Sequence, residues 1–292
     1  MKRALGLLVL VACTKPAPVP EVVQPAPPAV VDAGPALPAG ASACPGTVPC
    51  LRFATPEAAF QHVLAKEPLV LGIGESHAPA DKGVPSSTER FTTTLLPLVA
   101  PKASDVVVEL WAPDPKCMKA VKAVASAQRP VLEAQAETNQ NEYVVLGNRA
   151  KEAGMTPWLL RPTCADFDQI TDAGADAIGT MLGLVKRLTQ EKVSQLHQRS
   201  PEKIVIAYGG ALHNDLDPPA ATKDYSFGPE LDRLVAGRYV ELDLIVPEFV
   251  KATPSWQKLP WYASFEADKD RDRTTLYRTR ERSFVLVFAR TK

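Results

Sequence analysis

The sequence predicts an α/β fold: a mostly parallel sheet flanked by helices on both faces, in a single globular domain behind a disordered leader. Three observations predict it. Short apolar runs of strand length alternate with segments of helical spacing. The runs are apolar throughout, which is typical of parallel strands buried on both faces. Ten of the 28 prolines fall within residues 1–50, so an extended front precedes the regular part.

The composition argues against two classes of protein. Of the 292 residues, 46% are hydrophobic, which is enough to bury a core. The 33 basic residues equal the 33 acidic residues, and a net charge of +0 gives no electrostatic reason to bind nucleic acid. No run reaches the roughly 18 apolar residues of a membrane-spanning helix.

The first residues have the order of an export signal. A basic pair at 2–3 precedes the apolar run Ala4–Val11. Leu10-Val11-Ala12-Cys13 resembles the bacterial lipobox, in which the Cys is lipidated and becomes the first mature residue. We therefore expect an exported lipoprotein of the cell envelope, anchored to a membrane by acyl chains on Cys13. Thr14 rather than Asp follows, which favours the outer membrane in a host that has one. The alternative is an ordinary signal with a Cys at this place.

The chain is predicted to divide into three parts. Residues 1–12 are the signal peptide, residues 13–49 are the lipidated Cys with a Pro/Ala-rich tether, and residues 50–292 are the α/β domain. The tether has little that could pack in a core, so we expect an extended polyproline-type spacer.

Four cysteines remain besides Cys13. An even number in an exported chain suggests two disulfides. Because Cys44 and Cys50 enclose a short loop, we expect the pairs Cys44–Cys50 and Cys117–Cys164, which are one of three pairings that the sequence permits.

The domain begins with a helix and then alternates. Thr55-Pro56-Glu57 supplies a cap, a proline at the first helical position and an early acid, so a helix is predicted to about Lys66. The next predicted elements are a buried strand at Leu69–Ile73, a helix at Ser87–Val99 and a second buried strand at Asp105–Leu110.

The rest of the domain repeats this alternation. Apolar residues from Ile178 to Leu188 recur at helical spacing inside a long helix predicted from about 172 to 199. The other predicted elements are helices at about 115–127, at about 130–153 and at Pro229–Val235, and strands at Pro157–Leu160, Lys203–Tyr208, Tyr239–Val246 and Ser283–Ala289.

Four titratable residues stand where predicted strands end. Glu75 and His77 follow the first strand, Glu109 ends the second, and His213 follows the strand at Lys203–Tyr208. In this architecture ligands bind beyond the carboxyl ends of the strands. Two carboxylates and two imidazoles suit either a divalent metal or a metal-free general base. The alternative is that the acids are bonded to backbone amides and the histidines are ordinary loop residues.

The motifs around these residues resemble a known superfamily. They are Gly74-Glu75-Ser76-His77 after a first strand, Glu109 closing the next, and Gly209-Gly210-Ala211-Leu212-His213 after a late strand. The set is similar to the superfamily that joins ChaN-like haem-binding lipoproteins, Tiki/TraB-type proteases and erythromycin esterases. It covers roughly residues 68–216 and is closest to ChaN-like bacterial lipoproteins. Erythromycin esterases generally have one more residue between the acid and the His.

The resemblance implies one of two functions. Tiki-type members are metal-dependent peptidases, and the esterases use the same acids and histidines for hydrolysis. Glu75, His77, Glu109 and His213 would then be metal ligands or acid–base residues of a hydrolase acting on a peptide or small molecule, with Mn, Zn or Co as the metal. ChaN-like members bind haem, so the alternative is a haem- or iron-binding surface lipoprotein without catalysis.

Other residues near the motifs have candidate roles. Tyr143, Tyr208 and Tyr225 are candidate axial ligands for haem iron. In the hydrolase, Asn214 and Asp215 would hold the site residues in position without contacting the substrate.

Two further motifs lack a feature that their function requires. Gly72-x-Gly74 lacks the third glycine of a dinucleotide fingerprint. The segment around Ser76 imitates a nucleophile elbow, which would make a Ser76–His213 hydrolase, but prolines and a glycine interrupt the helix that this motif needs.

The arginines between 271 and 282 alternate with acids, which favours a solvated hairpin face.

Overall fold

A nine-stranded sheet organises the residues that the computed structural model describes, which are 37–80, 83–132, 135–268 and 271–291. Six neighbouring strands pair in parallel and the three at one edge pair antiparallel. This confirms the predicted α/β class with a mostly parallel sheet. Within the described residues the strands are β1 (Ser42–Ala43), β2 (Cys50–Phe53), β3 (Val70–Glu75), β4 (Ala103–Trp111), β5 (Thr156–Leu160), β6 (Ile204–Gly210), β7 (Tyr239–Ile245), β8 (Thr274–Arg278) and β9 (Ser283–Val287).

The strand order brings three strand ends together. It runs β1-β2-β8-β9-β7-β3-β6-β4-β5, so the late strand β6 lies between β3 and β4. Glu75 at the end of β3 pairs with Gly210 at the end of β6. Because these strands are parallel, the segments that follow β3, β4 and β6 leave the sheet at the same edge.

Ten α-helices lie within the described residues, and their caps explain where several begin. Thr55 accepts a hydrogen bond from the Ala58 amide at 3.3 Å, and Ser86 accepts one from the Glu89 amide at 2.9 Å. The helices are α1 (Pro56–Leu64), α2 (Ser87–Arg90), α3 (Leu96–Val99), α4 (Met118–Leu132), α5 (Asn139–Glu152), α6 (Cys164–Asp172), α7 (Ala177–Arg199), α8 (Gly228–Leu234), α9 (Pro254–Gln257) and α10 (Tyr262–Ala267).

The predicted helix Ser87–Val99 is helical throughout but changes type in the middle. A π-helical turn at Phe91–Leu95 joins α2 to α3. Pro97 lies in the first turn of α3. A proline lacks the amide hydrogen and crowds the carbonyl four residues earlier, and the wider π turn accommodates it.

Two helix predictions need correction. The break that we predicted between 127 and 130 lies after Leu132, so Pro130 falls within the last turn of α4, where a missing amide costs a single hydrogen bond. The helix predicted from 172 begins at Ala177, because Gly174, with φ of 55°, separates it from α6.

The compact unit begins at Leu37, within the segment 13–49 that was predicted as the tether. β1 pairs with β2, and the Val48 amide donates to Ser264 Oγ at 3.4 Å. A two-residue strand beside a disulfide loop has no periodicity, so the sequence pattern does not show these contacts. Residues 1–36 lie outside the described residues, so the predicted signal peptide and Cys13 lie there too.

Both predicted disulfides are present. Cys44 is bonded to Cys50, and Cys117 is bonded to Cys164. The first closes the loop between β1 and β2. The second joins the 3₁₀ turn before α4 to the first residue of α6.

None of the helices in the described part of the chain combines the length and the apolar composition that a membrane span requires.

Alternate side chains of the central strands enter two separate apolar clusters. In β3, Leu71 and Ile73 pack with residues of α1, α3 and α5. Val70 instead packs in a cluster with residues of α7 and α8.

The arginine-containing segment before β9 forms the predicted hairpin between β8 and β9, and Arg280 there is paired with Asp217.

Candidate functional site

A pocket of about 630 Å³ opens at the shared edge of β3, β4 and β6. All four predicted residues line it: Glu75, His77, Glu109 and His213. The strand order explains this, since the parallel strands deliver residues that are distant in sequence to one place.

Glu75 is buried, and hydrogen-bond donors engage both of its oxygens. Oε1 lies 2.8 Å from His77 Nδ1 and accepts from the Tyr143 hydroxyl at 2.6 Å. Oε2 accepts from Thr88 Oγ1 at 2.5 Å, and the Tyr208 hydroxyl donates to Thr88 Oγ1 at 3.2 Å. A carboxylate held this way orients the imidazole beside it.

The protonation of this pair follows from its surroundings. Burial raises the pKa of Glu75, but the hydrogen bond and charge of His77, with the hydroxyls of Thr88 and Tyr143, outweigh burial and hold it below its ordinary value. Burial lowers the pKa of His77, but Glu75 and then the charge of Glu109 outweigh it and raise that pKa above 6.5. Because Glu75 is ionised, His77 donates from Nδ1, and neutral His77 has its free lone pair on Nε2.

Glu109 reaches the pocket from an irregular part of β4. The register against β5 shifts between Val108 and Trp111, and Glu109 lies within this shift. Such irregularities redirect side chains next to functional sites. Glu109 Oε2 accepts from the Gly210 amide at 2.8 Å. A Cβ on Gly209 would lie 2.8 Å from the Glu109 Cβ, so Gly209 makes room for the acid.

His213 is held in the loop between β6 and α8. Its Nδ1 donates to the Tyr225 carbonyl at 2.8 Å, so Nε2 is the nitrogen that faces Glu109, with 3.6 Å between Nε2 and Oε1. The His213 carbonyl accepts from the Phe227 amide and from Ser226 Oγ. The ring is 3% exposed, so its position is defined by packing and by these bonds.

The two halves of the site face each other across Gly210. A Cβ on Gly210 would lie 3.7 Å from both His77 Nε2 and Glu109 Oε2. The free nitrogen of His77 and Oε2 of Glu109 therefore both lie beside Gly210 in the same pocket. The structure brings the four residues together, and their chemical roles stay a prediction.

Sequence reasoning missed the hydroxyls that hold Glu75. Thr88 comes from α2, Tyr143 from α5 and Tyr208 from β6. Both tyrosines were considered only as haem ligands. Burial, followed by the charge of Glu75, raises the pKa of each phenol well above 10. No local motif connects residues this far apart, so pattern analysis could not have found them.

Asn214 and Asp215 do not line the pocket. Asn214 Nδ2 donates to the Gly72 carbonyl at 3.3 Å and to Asp243 Oδ1 at 3.0 Å, so it anchors the loop that carries His213. Burial, and then the charges of Glu241 and Asp217, raise the pKa of Asp215 to about 7. Of the two expected supports, Asn214 acts on the loop and not on an imidazole.

Ser76 lines the pocket, but within the described residues no hydrogen bond joins it to His213. The two ring nitrogens of His213 face the Tyr225 carbonyl and Glu109. The geometry therefore does not favour the Ser76–His213 alternative.

Fold and site together define an α/β protein with a Glu–His site at the carboxyl edge of a mostly parallel sheet. No protein-family model matches the chain, and no curated protein matches it. Among solved structures, the chain is similar to that of the type III effector HopBA1. The two share 12% identity and a TM-score of 0.39, with 86% of this chain and 97% of that chain covered. A similarity at this level carries no argument about fold or function.

Proposed function

We propose that this protein is a hydrolase in which His77 is the general base and the scissile bond lies between His77 and the Glu109–His213 pair. We base this on one observation: the imidazole of His77, held by a buried ionised Glu75, presents Nε2 to a 630 Å³ pocket opposite a second His–Glu pair. A His oriented by a buried acid is the arrangement that activates a nucleophile in acyl transfer.

The reaction follows from the tautomers. His77 Nε2 takes a proton from water as the water oxygen adds to the acyl carbon, and Glu75 stabilises the imidazolium that forms. His77 then gives this proton to the leaving group, while His213 Nε2 and Glu109 Oε1, 3.6 Å apart, line the far side of the site. The distance is too long for a direct hydrogen bond, so both groups are open to the substrate.

The donor set does not fit a metal centre in this arrangement. Among the described residues, no group of three or more His, Cys, Asp or Glu side chains is arranged to hold a metal ion. The oxygens of Glu75 already accept from His77, Tyr143 and Thr88. We therefore derive no step through a metal. The expected Mn, Zn or Co stays a prediction, which metal analysis of the purified protein would test.

Haem binding also stays a prediction. Tyr143 and Tyr208 donate their hydroxyls to Glu75 and Thr88, and their raised pKa values disfavour the phenolate that would bind haem iron. An absorbance titration with haem tests this alternative, since a Soret shift at one equivalent would favour it over hydrolysis.

The pH dependence of hydrolysis tests the Glu75–His77 pair. Only neutral His77 accepts a proton, and its pKa is raised, so kcat/KM for a neutral ester should rise with pH through a midpoint above 6.5. Glu75→Gln removes the charge that raises this pKa and the acceptor that selects the tautomer. We expect its midpoint to fall and its plateau to drop about 100-fold or more.

Glu109→Gln is the matched comparison for the pH profile. The Glu109 charge contributes less than Glu75 to the raised pKa of His77, so the midpoint should fall by less. A kcat/KM that varies by less than about a factor of two between about pH 5.5 and 8.5 would contradict the role of His77 as base. An unchanged midpoint in Glu75→Gln would contradict it as well.

We also infer that helices cover both faces of the sheet and that the protein is an exported lipoprotein. The separate clusters of Leu71 and Val70 support the first inference, because neighbouring side chains of a strand point to opposite faces. The two disulfides support export, since such bonds persist in oxidising compartments. The resemblance to the ChaN-like superfamily remains part of this proposal.

The anchor has its own test. Cys13→Ser removes the acylation site, so the membrane-bound share should fall about tenfold on cell fractionation. Thr14→Ser is the control and should stay in the membrane fraction. Unchanged membrane association of Cys13→Ser would refute the anchor.

A further inference from the structure

The pocket has an apolar wall that continues from the polar site. Trp111 and Phe167 lie edge to face with 5.7 Å between ring centroids, and Met181 and Val185 of α7 line the same pocket. Resting on the proposed function, we infer that the substrate is a neutral ester or amide with an apolar acyl chain that lies along this wall while its carbonyl carbon sits between His77 and His213.

The charge of the lining favours a neutral substrate. Glu75 and Glu109 line the pocket, and none of the described residues that line it is Lys or Arg. A phosphate or carboxylate would bring a third negative charge to a partly buried site that has no Lys or Arg in its lining to pair with it, which is costly.

The wall has few groups that could satisfy a polar substrate. Phe167, Met181, Leu182 and Val185 offer no hydrogen-bond donor or acceptor of ordinary strength. A peptide laid along them would find no hydrogen-bond partner for its amides on this wall, whereas an acyl chain needs none and gains apolar burial. A volume of about 630 Å³ lies within the roughly 300–1,000 Å³ of small-molecule sites.

Buried packing and a disulfide hold the elements of this wall together. Phe167, Met181 and Cys117 belong to one buried cluster that includes residues of α4, α6 and α7, and the Cys117–Cys164 disulfide ties the 3₁₀ turn before α4 to α6. Ile178 lines the pocket within this wall and is 46% exposed. We therefore expect the end of the acyl chain of the substrate to reach solvent beside Ile178.

The reaction of such a substrate is balanced without a further reagent. The water oxygen forms the bond to the acyl carbon, and the bond from that carbon to the leaving oxygen or nitrogen breaks. One water proton goes to His77 Nε2, which passes it to the leaving oxygen or nitrogen as the bond breaks. The products are the carboxylic acid and an alcohol or amine, with no change of oxidation state.

A chain-length series tests the inference. With p-nitrophenyl esters from acetate to decanoate, kcat/KM of the purified protein should rise about 3-fold per methylene over the first few methylenes, as expected for burial of apolar surface. Ile178→Asp should lower kcat/KM for the decanoate about 10-fold more than for the acetate. Asp is tolerated there because the side chain is half exposed and lies in the first turn of α7.

Leu259→Asp is the matched control, since Leu259 is 38% exposed and lies outside the pocket lining. It should leave both esters unchanged. A binding measurement keeps the inference testable without turnover: in the His77→Ala variant, which lacks the proposed base, decanamide should change the fluorescence, and adding Trp111→Phe should remove that change.

The outcomes separate the two proposals. Hydrolysis that depends on His77 but does not vary with chain length would overturn the substrate class and leave the hydrolase. Hydrolysis that His77→Ala does not reduce would overturn the hydrolase, and decanamide binding through Trp111 would still support the apolar wall. Failure of decanamide to bind would overturn the inference.

Discussion

His77→Ala is expected to lower kcat/KM for a neutral ester about 1,000-fold. General bases contribute about 10²–10⁴-fold, and the orienting Glu75 would have no imidazole left to position. The side chain of His77 is 30% exposed, so its removal leaves a gap that water can enter and the fold should survive. Initial rates at pH 8 measure the loss, and added imidazole should restore part of the rate.

His62→Ala is the matched control for this variant. His62 lies in α1, with its ring 5.9 Å from that of Phe53 and outside the pocket lining, so hydrolysis should stay within about 2-fold. A His77→Ala protein that keeps more than about a tenth of the wild-type rate would show that another group is the base.

Gly74→Ala is expected to destabilise the protein by about 3 kcal/mol or more, which would lower Tm by roughly 6–12 °C. A Cβ at this position would lie 2.5 Å from Asn214 Oδ1 and 2.7 Å from the Ala211 Cα. Gly74 is paired with β6 on one side and β7 on the other, so the backbone cannot retreat. The clash would also displace the loop that carries His213.

Gly183→Ala controls for the loss of a glycine. Gly183 lies inside α7 with nothing within 4 Å of the new Cβ, so the variant should be as stable as the wild type or up to about 1 kcal/mol more stable. Urea unfolding of both variants measures the difference. Equal stability of Gly74→Ala and the wild type would contradict the packing of this loop against β3.

Gly74 also explains why a motif can be read in two ways. As a sequence, Gly72-x-Gly74 imitates part of a dinucleotide fingerprint. In the structure, a Cβ on Gly72 would collide with the Tyr239 hydroxyl, and Gly74 lies against the Ala211 loop. Both glycines serve close packing of neighbouring elements, which no short motif distinguishes from phosphate binding.

The sequence by itself determined the features that local chemistry encodes. Apolar runs predicted β3, β4, β6 and β7, a Thr-Pro-Glu start predicted α1, and the residues at strand ends predicted Glu75, His77, Glu109 and His213. These succeed because burial and periodicity act within a few residues of the chain.

Only the tertiary structure decided which of these features meet. It placed β6 between β3 and β4, added the edge strands β1, β2 and β8, surrounded Glu75 with Thr88, Tyr143 and Tyr208, and built the apolar wall from α4, α6 and α7. The physical reason is that strand neighbours and hydroxyl partners are selected by packing between residues tens of positions apart, and no local propensity carries that information.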